Sequence, residues 1–283
     1  MNHLESAQVY LYVPANDRRK IEKAAQLEPD ALIFDLEDSV PPGEKEQARV
    51  VVNEALKHHD YSRCVLVVRI NPGGSGKEDI LALDIGKIDA VMIPKCEQPD
   101  DVTSVEQVIR MRTTQEICIL PLIETARGVV NIEGVLSASH SICAVALGGE
   151  DLVADIGAVS TKERKELLYA RSQLVLCAAA YNVAAIDTPF VDMHDEHGLK
   201  TESLDARRMG FAGKQAIHPS QIAPIREAFS PTRDEIDEAE RIVSAFEEAF
   251  KKGTTVIAMN GKMIDPPVVA RARRILALAQ RER

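Results

Sequence analysis

Eight short apolar runs, each closed by polar residues and followed by a helix-like segment, constrain this chain more than any other feature. They cover residues 8–13, 31–34, 65–70, 90–93, 117–123, 142–147, 184–186 and 213–217. The runs are rich in Val, Ile and Leu and show little alternation with polar residues. That is the pattern of strands buried on both faces of a parallel sheet. Helical patterns fall between them, at 18–27, 44–57, 100–112, 162–180 and 199–209, with a short helical turn at 80–85. In the longest, Leu167, Leu168, Ala170, Leu174, Val175 and Ala178 recur at helical spacing. Such alternation predicts an α/β chain folded as a (β/α)8 TIM barrel. A doubly wound open sheet is the structural alternative. No G-x-G-x-x-G follows the first run, which counts against a dinucleotide-binding version of it.

The barrel is expected to occupy residues 1–230 as the catalytic domain, with 231–283 as a lid and oligomerisation segment. In that tail, 232–251 reads as a charged amphipathic helix and 255–264 as a hairpin turning at Asn260-Gly261. Asp265-Pro266-Pro267 then starts a last helix to residue 281. A helix–hairpin–helix of this size exceeds what eight strand–helix units need.

Bulk properties exclude several classes. A net charge of −10 argues against nucleic-acid binding. No run is long enough for a signal peptide or a membrane span. The five cysteines are widely spaced with no C-x-x-C, so neither a zinc ribbon nor a disulfide framework is expected. A reducing, cytoplasmic setting follows from that cysteine usage.

Polar residues gather where the runs end: Asn16, Glu37, Arg69, Lys95, Glu124, Asp151, Asp187 and His218. In a barrel of this type the strand ends form the active-site face. Glu124 and Asp151 each follow an apolar run, where an unpaired buried carboxylate is costly. Two such carboxylates without nearby Cys or His suit magnesium or manganese better than zinc. The alternative is a Glu124–Arg127 ion pair and an N-capping Asp151. Asp35, Glu37 and Asp38 crowd another strand end and suit the surroundings of a metal, or merely a helix start. Arg69 needs an anionic partner, either a substrate carboxylate or oxyanion, or Glu37. Arg18, Arg19, Lys20 and Lys23 form a basic group suited to polyphosphate, or a solvated helix face. His218 is a candidate general base or cofactor-ring contact, or a structural histidine.

The sequence resembles the citrate lyase beta-subunit-like family, which includes malyl-CoA and citramalyl-CoA lyases. The likeness runs in order through Phe34-Asp35-Leu36-Glu37-Asp38-Ser39-Val40-Pro41-Pro42, Val68-Arg69-Ile70-Asn71-Pro72, Ile93-Pro94-Lys95, Pro121-Leu122-Ile123-Glu124-Thr125-Ala126-Arg127-Gly128, Gly148-Gly149-Glu150-Asp151-Leu152, Ala185-Ile186-Asp187-Thr188-Pro189 and Gly213-Lys214-Gln215-Ala216-Ile217-His218-Pro219. It implies Mg2+ on Glu124 and Asp151, and reversible cleavage of a 3-hydroxy-dicarboxylyl-CoA to acetyl-CoA and a 2-oxo acid. It also implies a homotrimer whose tail covers a neighbour's active site. Asp265 then acts on the enolate carbon, with Arg69 and Glu37 as the other catalytic residues. Arg18 and Arg19, with Lys23 and His218, would hold the CoA end. An aldolase acting on free 2-oxo acids, and a citrate lyase beta subunit working on an acyl-carrier-protein thioester within a complex, are the alternatives.

Overall fold

The computed structural model describes residues 3–251, 253–259 and 261–281. By internal contacts the chain divides into two compact units, Met1–Arg226 and Glu227–Arg283. In the first, eight parallel strands close into a barrel in sequence order. They are β1 (Val9–Pro14), β2 (Ala31–Asp35), β3 (Val65–Arg69), β4 (Ala90–Ile93), β5 (Cys118–Ile123), β6 (Ala144–Leu147), β7 (Ala184–Asp187) and β8 (Gly213–Ala216). β8 pairs with β1, which leaves no free sheet edge.

Helices connect the strands: α1 (Arg18–Ala24), α2 (Lys45–His58), α3 (Gly73–Ala82), α4 (Pro99–Arg112), α5 (Ala126–Val130), α6 (Ile132–Leu136), α7 (Gly149–Asp155), α8 (Leu168–Tyr181) and α9 (Glu196–Met209). A further helix, α10 (Ile222–Phe229), follows β8. α3 is longer than the turn expected at 80–85, because it starts in the glycines Gly73 and Gly74. Packing overrides their poor helix propensity. Ile80 and Asp79 on α3 are fully buried, and Asp79 accepts from the Asn71 amide and from Arg49.

Alternation along each strand decides what reaches the barrel mouth. Tyr10, Ile33, Val67, Met92, Leu120 and Leu122 belong to one buried cluster. Two residues further along the same faces come Tyr12, Asp35, Arg69 and Glu124. The polar strand ends are thus the upward continuation of the core's own pattern.

One expectation is corrected. Cys118 and Cys143 form a disulfide, with their Cα atoms 6.0 Å apart. They become neighbours because β5 and the residues before β6 run parallel, with Ile119 bridging Ile142. That register joins residues 25 positions apart and is invisible to cysteine spacing.

In the second unit, α11 (Arg233–Lys251) packs on α12 (Pro266–Arg281), with the antiparallel pair β9 (Ile257–Met259) and β10 (Lys262–Ile264) between them in sequence. Ala239, Ile242 and Phe246 of α11 bury against Val269 and Ala272 of α12 and Ile264 of β10. The expected turn residue Asn260 lies outside the described residues. Gly261 beside it has φ +75°, the left-handed backbone such a turn requires.

Candidate active site at the carboxyl ends of the strands

Arg69 stands at the centre of the charged mouth. Its Nε and Nη2 donate to the two carboxylate oxygens of Asp35, each at 2.7 Å. Its Nη1 lies 3.0 Å from Glu37 Oε2 at an angle that makes no hydrogen bond. The guanidinium sits 4.9 Å above the Tyr12 ring. Tyr12 is fixed in turn by a 2.7 Å bond from its hydroxyl to Gln215. Arg69's bidentate fork is therefore already taken by Asp35. Asp35, a partner not foreseen for Arg69, thus leaves no free fork for a substrate carboxylate, while the expected pair with Glu37 is present as the 3.0 Å contact. Only Nη1 and the second hydrogen of Nη2 remain for another acceptor.

Burial alone would raise the Asp35 carboxyl, but the Arg69 hydrogen bonds and charge outweigh it and hold the group below the ordinary range. Glu37 goes the other way: burial pushes it up despite Arg69 and Lys95. Lys95 adopts the left-handed backbone, φ +48°, uncommon outside glycine. That conformation aims its amide at Glu124 Oε1, 2.8 Å away, and its ammonium at Glu37 Oε1, 3.1 Å away. Lys95 sat among the polar strand ends, yet nothing in the sequence marked its backbone as a ligand.

Glu124 is only 1% exposed. Burial pushes its carboxyl up to about 8; the Lys95 amide opposes this, and the Asp151 and Glu37 charges add to it. Its Oε2 accepts no hydrogen bond among the described residues. Gly148 makes room for it: a Cβ there would fall 2.5 Å from both Cβ and Oε2 of Glu124. The structural alternatives for this pair do not hold. Arg127 pairs instead with Glu97, at 3.7 Å. The N-cap of α7 is Gly148, with no side-chain cap, so Asp151 does not cap the helix. Asp151 is an exposed residue whose charge nonetheless reaches Glu124.

Two repelling carboxylates, one buried with an oxygen to spare, fit a hard divalent cation. No group of three or more His, Cys, Asp or Glu is placed to hold a metal among the described residues. A cation here would take two protein oxygens and complete its shell with water and substrate, the usual magnesium arrangement.

The basic group divides. Arg18, Arg19 and Lys20 line a cleft of about 630 Å³ with Pro14, Asn16, Asp17 and Ser39, at the ends of β1 and β2. Arg18 also pairs with Glu54, and both side chains are well exposed. Lys23 is exposed and lies outside that lining. His218 is exposed and turned to its own loop: Nδ1 accepts from the Ser220 amide at 3.2 Å and meets Ser220 Oγ at 2.7 Å. In the second unit Asp265 is half-buried and caps α12, accepting from the Val268 amide at 3.2 Å.

The profile of the HpcH/HpaI aldolase/citrate lyase family matches residues 8–219. The chain belongs to that family. It is 37% identical to citrate lyase subunit beta of Leuconostoc mesenteroides subsp. cremoris, over 99% of this chain and 95% of that protein. It is 36% identical to the mitochondrial citramalyl-CoA lyase of Rattus norvegicus, over 95% and 85%. Its fold is similar to CitE of Mycobacterium tuberculosis in complex with magnesium, acetoacetate and coenzyme A. The TM-score is 0.83 at 31% identity, over 98% of this chain and 100% of the other. Its charged mouth lies at the carboxyl ends of the strands, the face on which barrels of this architecture carry their active sites. No helix among the described residues is long and apolar enough to cross a membrane.

Proposed function

We propose that this protein is a magnesium-dependent carbon–carbon lyase that cleaves a 3-hydroxy-dicarboxylyl-CoA, of citramalyl-CoA or malyl-CoA type, into acetyl-CoA and a 2-oxo acid. The observation that carries the reading is the buried Glu124, whose carboxylate takes one hydrogen bond among the described residues, from the Lys95 amide, and feels the charge of Asp151. The relative solved with magnesium, acetoacetate and coenzyme A supports it.

Glu124 and Asp151 hold the cation, which when bound supplies Lewis-acid stabilisation of the oxygen that becomes the keto group. The residues of the chain do the rest. Glu37, raised by burial and with Oε2 free of hydrogen bonds, takes the proton of the 3-hydroxyl. The bond between carbons 2 and 3 breaks, leaving its electron pair on the thioester as an enolate. Arg69, its fork spent on Asp35, places a fixed positive charge beside the developing anion. Asp265 delivers a proton to the enolate carbon, giving acetyl-CoA. Its cap on α12 and the following Pro266-Pro267 make it a rigid donor. Assembly as a homotrimer belongs to the same reading and is tested by light scattering.

Arg18 and Arg19 take the polyphosphate end of CoA at the cleft beside β1. Replacing both by Ala raises KM for the CoA thioester about tenfold and leaves kcat within twofold, because remote charge contacts act on ground and transition states alike. Saturable acetyl-CoA binding by the parent protein, weakened in the double variant, is the accompanying measurement. An aldolase for free 2-oxo acids would show no such binding. The likeness to citrate lyase subunit beta favours one second reading, action on an acyl-carrier-protein thioester. Turnover of a CoA thioester by the isolated chain decides against it.

A further inference from the structure

A second cluster of buried charges joins the barrel strands β7 and β8 to α8 and α9. Asp187 and Lys214 are both fully buried. Lys214 uses all three ammonium hydrogens: on Asp187 at 2.8 Å, on Glu202 at 2.7 Å and on the Thr188 carbonyl at 2.7 Å. Arg171 forks onto Asp187 with two 3.0 Å bonds. Two cations thus balance two carboxylates, and the cluster is neutral as it stands.

Arg164 brings a third cation that this balance does not require. Its side chain is 8% exposed and its backbone is left-handed, φ +50°. Nη1 donates to Ser160 Oγ at 3.0 Å, while Nε is 3.8 Å from Glu202. Nη2 reaches Glu150 Oε1 at 2.7 Å, although neither Nε nor Nη2 has good hydrogen-bond geometry. Glu150 is 45% exposed, so water could serve it equally well. A strained, buried arginine that reaches an exposed carboxylate points to a task beyond neutralisation. That carboxylate sits in the first turn of α7, immediately before Asp151.

The start of α7 has no side-chain cap of its own. It is held from outside at two consecutive residues. The Gly149 amide donates to Thr188 Oγ1 at 2.8 Å, and Thr188 is the residue whose carbonyl Lys214 grips. A Cβ at Gly149 would come within 2.6 Å of that hydroxyl. Glu150 is held by Arg164. We propose that Arg164, backed by the Lys214–Asp187–Glu202 cluster, is a positioning residue that sets Asp151 for the cation by fixing α7 through Glu150. This rests on the assignment of Asp151 as a metal ligand.

The test is Mn2+ titration of the full-length protein, read by the free-ion electron paramagnetic resonance signal, with melting temperatures in EDTA alongside. Glu150→Gln and Arg164→Met should each weaken Mn2+ about tenfold. The double variant should be no weaker than either single by more than about twofold, because one contact is lost in all three. Asp151→Asn should be weaker than any of them. Glu150→Gln should melt no lower than Arg164→Met, since Arg164 keeps Ser160 Oγ and Glu202 as neighbours; it keeps the test valid if Arg164→Met is unstable. If Asp151→Asn loses Mn2+ while Glu150→Gln and Arg164→Met bind within threefold of wild type, the positioning role is overturned and the ligand assignment stands. If Asp151→Asn itself binds as wild type, the ligand assignment is wrong and the positioning role goes with it.

Discussion

Glu124→Gln abolishes turnover and leaves the barrel folded, indeed more stable without metal. The amide keeps the volume of Glu124 and an oxygen for the Lys95 amide, so the packing over Gly148 is preserved. What goes is one of two anionic oxygen ligands. Losing several kcal/mol of transition-state stabilisation corresponds to roughly a thousandfold or more in kcat. Asp151→Asn should behave alike. The stability effect has a definite sign. The folded pKa of Glu124, about 8, lies above its unfolded value, so the folded state binds more protons. Stability of the metal-free protein therefore falls as pH rises from the ordinary carboxylate range to about 8. Glu124→Gln lacks that decline and melts higher at alkaline pH. Magnesium affinity rises over the same window and levels off once Glu124 is ionised. Wild-type and variant melting curves in EDTA, taken from pH 5 upward, check all three points. Identical pH profiles would show that Glu124 is not the buried acid described.

Arg69→Met is expected to be the most destabilising single change at the mouth. It leaves Asp35 and Glu37, 2% and 3% exposed, without their arginine. Removing one partner of a buried ion pair costs about 3–5 kcal/mol, because the other charge stays buried. Urea unfolding at neutral pH should show a loss of that order. Asp35→Asn in the same chain should restore part of it by removing the stranded charge. The pair has an acid limb too. Asp35's folded pKa is depressed, so its contribution is present above the ordinary carboxylate range and is lost as pH falls through the folded value. Arg69→Met should lose this acid-side decline. A variant as stable as wild type would mean that Arg69 carries no such pairing.

The barrel was legible because strands buried on both faces leave continuous apolar runs, and eight of them alternated with helical spacing. Glu124 and Asp151 stood out because acidic residues closed those runs. What stayed hidden depends on register and burial, which local sequence does not carry. Arg69 was visible, but its two bonds to Asp35 require β2 and β3 to pair with those residues abreast. Lys95 was visible as a strand end, but its left-handed backbone and the amide it turns to Glu124 were not. Lys214 drew no reading of its own from the sequence, and only the fold shows it fully buried with three acceptors around its ammonium. The Cys118–Cys143 bond is the same case, set by strand order and not by spacing.

The carboxylate pair is expected to work through a divalent cation in cleaving a CoA thioester. The direct measurement is incubation of the purified full-length protein with malyl-, citramalyl- and citryl-CoA, in Mg2+ and in EDTA, following acetyl-CoA and 2-oxo acid together. Equal release of both products from at least one substrate is expected in Mg2+, with none in EDTA and recovery when Mg2+ is restored. No acetyl-CoA from any of the three, or an unchanged rate in EDTA, would contradict it.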